Sequence, residues 1–132
     1  MIEMATVGEI MSTGLLTVDA ALPLTEAAKV MHEHSVGAAL VLSGDRVAGI
    51  LTERDVLRAV ALGQVEGTDV AAWMTANPET IEPSDATSLA ASVMIHGGFR
   101  HLPVVEGGKP VGIVSIRDLM RVVLDDETPR GA

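Results

Sequence analysis

"VGAALVLSGDRVAGILTERDVLRAV" fills residues 36–60, and "FRHLPVVEGGKPVGIVSIRDLMRVV" fills residues 99–123. Each passage reads as two apolar extended runs joined by a tight turn, at "SGD" in the first and "EGGK" in the second. A helix follows at once in both. Val56, Leu57, Val60 and Ala61 give it an apolar side in one copy, as Leu119, Met120, Val123 and Leu124 do in the other. Superposed at an offset of 63 residues, the passages need no gap: Val41 falls on Val104, Gly44 on Gly107, and Gly49 and Ile50 on Gly112 and Ile113. Arg54 and Asp55 fall on Arg117 and Asp118, and Arg58 on Arg121. The register extends upstream to Met11 on Met74, Thr17 on Thr80, Ala27 and Ala28 on Ala90 and Ala91, and Met31 on Met94. The chain is an internal duplication of two units, each with an apolar face to bury.

Upstream of the hairpins, "TGLLTVDAALPL" and "ANPETIEPSDAT" are short extended pieces that run into turns rich in Pro, Asp and Ser, with Pro83 and Asp85 marking the clearer helix start. "LTEAAKVMHEH" places Leu24, Ala27, Ala28 and Met31 on one helical stripe, and "TSLAASVMIHG" does so with Leu89, Ala90, Val93 and Met94. Each unit thus runs strand, helix, strand, strand, helix, an α/β arrangement over residues 8–66 and then 67–126. It is too small for a Rossmann domain and lacks that fold's glycine signature. Between the halves, "LGQVEGTDVAAWMT" supplies two glycines and a short amphipathic piece whose Trp73 and Met74 are expected to pack on a neighbouring surface. The tail "DDETPRGA" reads as polar and loose.

At 132 residues, with 48% hydrophobic and 20% charged residues, the chain has the balance of a soluble globular protein. Trp73 and Phe99 are its only aromatics, so the core must be aliphatic and closely packed. Nine basic residues against eighteen acidic ones give a net charge of -9, which disfavours nucleic acid as a partner. A small anionic ligand remains compatible, because it needs only local N–H groups and one or two cations. The absence of cysteine excludes disulfides, thiolate metal sites and cysteine nucleophiles. No apolar run approaches the length of about 18 residues that marks a membrane helix, and "MIEMATVGEIM" carries acids where a signal peptide would be basic. A cytoplasmic protein with no membrane partner is expected.

Thr52 with Asp55, and Ser115 with Asp118, fit the capping box, in which the hydroxyl accepts from the N3 amide and the acid reaches back to the N-cap amide. The same atoms suit a nucleotide. A helix N-terminus has unpaired N–H groups that favour phosphate, a hydroxyl there donates to phosphate or sugar oxygen, and a carboxylate accepts from vicinal ribose hydroxyls. A preceding glycine permits close approach of backbone or ligand. Capping alone does not require Gly-Ile before the hydroxyl residue or Arg before the acid, and both recur.

With "IMST", "WMTANPETI", "RHLPVVEGGKPVGIVSIRDLM" and the fainter "VGAALVLSGDRVAGILTERDVL", the chain resembles a pair of cystathionine-β-synthase (CBS) domains, the Bateman module, from about residue 8 to residue 124. The resemblance implies two β-α-β-β-α units packed sheet to sheet with pseudo-twofold symmetry, and two clefts for adenosine compounds such as AMP, ADP, ATP or S-adenosylmethionine. It implies ribose-binding aspartates at Asp55 and Asp118, hydroxyls at Thr52 and Ser115, and base or ribose contacts at Thr17 and Thr80. Contacts to base and phosphate would come from Val36, Gly37, Ala38 and Ala39 in the first unit. In the second they would come from Phe99, Arg100, His101, Leu102 and Pro103. Arg54 and Arg117 would face phosphate or a dimer partner. Only the second unit has Arg100 and His101 in its hairpin, a forked cation and a titratable donor suited to phosphate; Gly37 and Ala38 offer no charge at those places.

No catalytic set emerges, since Ser35, Ser92 and Ser115 lack a base with an orienting acid and Asp55 and Asp118 belong to separate clefts. No metal site is expected: His32 and His34, two apart on a helix, point in different directions. Arg58 and Arg121 read most simply as solvated helix faces. The expected protein is a regulatory sensor without enzyme activity or an obligatory cofactor, a homodimer acting on itself or on a regulated protein partner. The alternative is an assembly module with vestigial clefts.

Overall fold

A computed structural model of the chain describes residues 5–127, with side chains described through residue 124. The last five residues of the polar tail, 128–132, lie outside the described residues, whereas 125–127 continue the final helix.

In chain order the elements are α1 (Val7–Ile10), α2 (Leu24–Glu33), β1 (Ala38–Ser43), β2 (Arg46–Thr52), α3 (Glu53–Ala61), α4 (Val70–Trp73) and β3 (Thr75–Ala76). They continue with α5 (Thr87–Gly97), β4 (His101–Glu106), β5 (Lys109–Ser115) and α6 (Ile116–Glu127). The fold is α/β, with two small antiparallel sheets ordered β1-β2-β3 and β4-β5. Gly107 and Gly108, both at positive φ (62° and 82°), make the turn of the second hairpin, the geometry that suits the twist of its strands. The leading strand expected in each unit is reduced to one parallel bridge, Thr17 to Leu40 and Ile81 to Val104. Its extent is cut short by Asp turns: Asp19 Oδ1 accepts from Ala21 N at 2.9 Å, and Asp85 Oδ2 from Glu82 N at 2.9 Å.

The described chain forms two compact units, one of residues 15–78 and one combining 5–14 with 79–127. The segment that opens the first repeat thus completes the second unit. Val7 N donates to Asp85 O (2.8 Å), Gly8 N to Pro83 O (2.9 Å), and Ser12 and Ile113 exchange backbone bonds of 2.8 and 2.9 Å. Reciprocally, α4 and β3, which open the second repeat, complete the first unit, with Ala76 and Thr75 pairing to Gly49 and Ile50 of β2. A Cβ added to Gly49 would stand 2.6 Å from Met74 Sδ and 3.1 Å from Thr75 O; on Gly112 the distances to Met11 Sδ and Ser12 O are 2.5 and 2.9 Å.

Both cores are aliphatic. Leu24, Ala27, Met31, Ala39, Val41, Leu51, Ala59 and Val70 form one. Val7, Ile81, Ala90, Met94, Leu102, Val104, Val114 and Leu119 form the other. Three expected helix faces are corrected. In α5 the buried residues are Thr87, Ala90 and Met94, while Leu89 is exposed, because Thr87 takes the place that Leu24 holds in α2 and sets the inward stripe. In α3 the inward residues are Asp55 and Ala59, so Leu57 and Val60 point outward, 67% and 56% exposed. Met120, Val123 and Leu124 of α6 are likewise exposed, and only Leu119 of that group is buried.

Candidate ligand site

Within each unit the hairpin register sets the site. Ala38 stands across from Thr52, and His101 across from Ser115. The preceding residue ties the strand to the helix start: Gly37 O accepts from Glu53 N at 3.0 Å, and Arg100 O from Ile116 N at 2.9 Å. The capping box closes in both copies. Thr52 N and Oγ1 donate to Asp55 Oδ2 at 2.8 and 3.1 Å, and Asp55 N donates back to Thr52 Oγ1 at 3.4 Å. For Ser115 and Asp118 the same bonds measure 2.8, 3.0 and 3.1 Å.

These bonds let two carboxylates sit in the interior, at 5% exposure for Asp55 and 8% for Asp118. Their other oxygens face arginine. Arg58 Nη1 lies 3.3 Å from Asp55 Oδ1, and Arg121 Nη1 3.5 Å from Asp118 Oδ1. Arg58 and Arg121 lie on solvated helix faces as expected, with side chains 58% and 66% exposed, and in addition reach the carboxylates. The sequence does not single them out, because charged residues at i and i+3 on a helix ordinarily pair at the surface; the one signal is the recurrence of Arg three places after each aspartate.

One chemical expectation changes and another narrows. The helix starts were to present unpaired N–H groups to phosphate, but the N1 and N3 amides of α3 and α6 are already hydrogen-bonded. Of the two close approaches that the glycines permit, backbone or ligand, Gly49 and Gly112 show the first: each is covered by a backbone carbonyl and a methionine. The hydroxyl and the acid remain. Each carboxylate oxygen has room for about two hydrogen bonds, so Oδ2 is filled by the cap while Oδ1, beside its arginine, keeps an acceptor position.

The other expected site residues gather around this point unevenly. Thr17 is exposed and bridges Leu40, two residues along β1 from Ala38. Thr80 is exposed beside Ile81, whose N donates to Pro103 O at 3.0 Å. Val36 and Gly37 are half-buried, and Ala38 and Pro103 are buried. Arg100 is exposed and His101 half-buried, so the second constellation has cationic and imidazole groups at its strand entrance where the first has none. Arg54 and Arg117 are exposed on the first turns of α3 and α6. Among the described residues no helix is long and apolar enough to cross a membrane.

Two segments, residues 7–62 and 68–125, match the model of the CBS domain. The chain belongs to the CBS domain family. A 17.7 kDa protein of Acidianus ambivalens, from the bps2 3′ region, is 40% identical over 92% of this CBS chain and 75% of its own length. The structure of a putative signal-transduction protein with CBS domains from Burkholderia ambifaria MC40-6 is 37% identical, covers 97% of this chain and 100% of that one, and superposes with a TM-score of 0.87. The CBS domain pair of protein MJ0100, solved in complex with 5-methylthioadenosine and S-adenosyl-L-methionine, is 25% identical, with a TM-score of 0.83 over 90% of this chain and 99% of that one.

Proposed function

We propose that this CBS pair is a regulatory module without catalytic activity that binds an adenine nucleotide or adenosyl metabolite: AMP, ADP, ATP or S-adenosylmethionine. The observation that carries the reading is the duplicated pair of buried carboxylate and hydroxyl, each at a helix start against the first residue of a hairpin strand. The MJ0100 pair, bound to two adenosyl compounds, supports the ligand class. In each unit the carboxylate takes the ribose hydroxyls. Thr17 and Val36 to Ala38 serve the first ligand, with Arg54 toward its phosphate. Thr80 and Arg100, His101 and Pro103 serve the second, with Arg117. The charge at Arg100 and His101 favours the second unit for phosphate. The ligand shifts the module only as far as it binds one conformation better than another. The outward apolar residues of α3 and α6 suit a homodimer interface, through which occupancy reaches a regulated partner in the cytoplasm.

Calorimetry on wild type, Asp55→Ala and Asp118→Ala tests this, with AMP, ADP, ATP and S-adenosylmethionine as ligands and 2′-deoxy-AMP as the ribose control. At least one ligand should bind more tightly than about 1 mM, roughly -4 kcal/mol. Asp118→Ala and removal of the 2′-hydroxyl should each weaken it. A second reading, assembly without a ligand, is favoured by the cap and arginine already engaging both carboxylates and by the exposed apolar helix faces. It prevails if none of these compounds binds below that threshold.

A further inference from the structure

Arg58 links the first carboxylate to the segment that opens the second repeat. Its Nη1 lies 3.3 Å from Asp55 Oδ1, and its guanidinium carbon stands 5.5 Å from the centre of the Trp73 ring. The ring is itself fixed: Trp73 Nε1 donates to Thr68 Oγ1 at 3.1 Å, and the side chain packs on the core of residues 15–78. In the other copy Arg121 makes the corresponding contact to Asp118 at 3.5 Å. At the 63-residue offset, however, the counterpart of Trp73 is Ile10, which has no π face to offer a cation. Arg58 is held from two sides.

A ribose that donates both hydroxyls to the carboxylate needs both acceptor positions of Oδ1, one of which Arg58 holds, because Oδ2 already accepts from Thr52 N and Thr52 Oγ1. On the reading that the site takes an adenosyl ligand, we propose that Arg58, held by Trp73, is an internal competitor of the ribose at Asp55 and makes the two halves unequal. The Asp118 half fills at lower ligand concentration, and the Asp55 half fills when Arg58 leaves Oδ1. The Arg58 side chain is 58% exposed and has solvent to move into. An exposed ion pair and an exposed cation–π contact are each modest, so the handicap amounts to about two- to tenfold in Kd. Trp73 is the chain's single tryptophan, so its emission follows the departure of the guanidinium.

The test titrates the full chain with AMP, by calorimetry and by Trp73 fluorescence, in an Asp118→Asn background that isolates the Asp55 half. Arg58→Met, which keeps the aliphatic stem, should tighten AMP about two- to tenfold and abolish the ligand-dependent change in Trp73 emission. Trp73→Ile should tighten AMP by a smaller factor, whereas Trp73→Phe, which keeps a ring face, should retain the parent affinity. Arg58→Gln repeats the comparison if Arg58→Met folds poorly. Affinity at the Asp55 half that is unchanged or weakened by removing the guanidinium overturns the proposal, even where Asp55→Asn shows that AMP binds there. Absence of AMP binding in the wild type, the Asp118→Asn parent and its Arg58 variants overturns both this proposal and the binding reading beneath it.

Discussion

Ser35 and Gly98 occupy the same place in the two copies, each following the first long helix of its repeat, and both take the left-handed conformation, φ 55° and 72°. A Cβ there is strained, whereas glycine adopts the conformation freely. Ser35→Gly should therefore stabilise the protein by about 0.5–1 kcal/mol after the entropy cost of glycine in the unfolded chain, seen as a raised thermal midpoint. Thr87 is a second residue whose partner in the repeat is better suited to its place. It is 3% exposed and its Oγ1 lacks a hydrogen-bond partner, where the other copy buries Leu24. Thr87→Val keeps the shape and removes the desolvated hydroxyl, and should gain about 1 kcal/mol in denaturant unfolding. The repeat alone made both positions comparable. The left-handed turn and the unpaired hydroxyl become visible only with the backbone and its neighbours in place.

The element that most depends on neighbours is the hairpin strand running into α3 or α6. Gly-Ile before the hydroxyl residue looked like part of a ligand contact, yet the glycine admits a segment distant in sequence: Met74 and Thr75 over Gly49, Met11 and Ser12 over Gly112. Gly112→Ala should cost about 1–3 kcal/mol, the range for overpacking. Adding Met11→Ala should not restore full stability, because Ser12 O would still stand 2.9 Å from the new Cβ. A double-mutant cycle measures the shortfall. The capping boxes, by contrast, were legible from Thr-x-x-Asp and Ser-x-x-Asp, since three-residue spacing on a helix start leaves little choice of partner. Arg58 and Arg121 were not, because nothing in an i,i+3 spacing distinguishes a buried carboxylate from an exposed one.

Among the described residues, most of the large apolar side chains left exposed lie on α3, its C-cap and α6: Leu57, Val60 and Leu62 in one copy and Met120, Val123 and Leu124 in the other. Their periodicity reads as a core face in sequence. The helices instead turn Asp55 with Ala59, and Asp118 with Leu119, inward. If these faces meet in a homodimer, Leu57→Glu should shift sedimentation from dimer to monomer while leaving the circular dichroism unchanged, because Leu57 is 67% exposed within the protomer. The opening segments are a further matter of scale. Sequence order puts Met11 at the opening of the first repeat and Met74 at the opening of the second, whereas each joins the compact unit formed by the opposite repeat.

The sequence by itself determined the duplication, the α/β element order, the aliphatic cores and the capped helix starts. All of these follow from local periodicity, hydroxyl-to-acid spacing and the absence of larger side chains. Tertiary structure decided which faces of α3, α5 and α6 turn inward, why Gly49 and Gly112 must lack a side chain, and where Asp55 and Asp118 spend their second oxygens. Those outcomes depend on which distant segment lies against each repeat, and a Met, an Ile or a Trp in that segment carries no mark in the sequence of the glycine or arginine that it will meet.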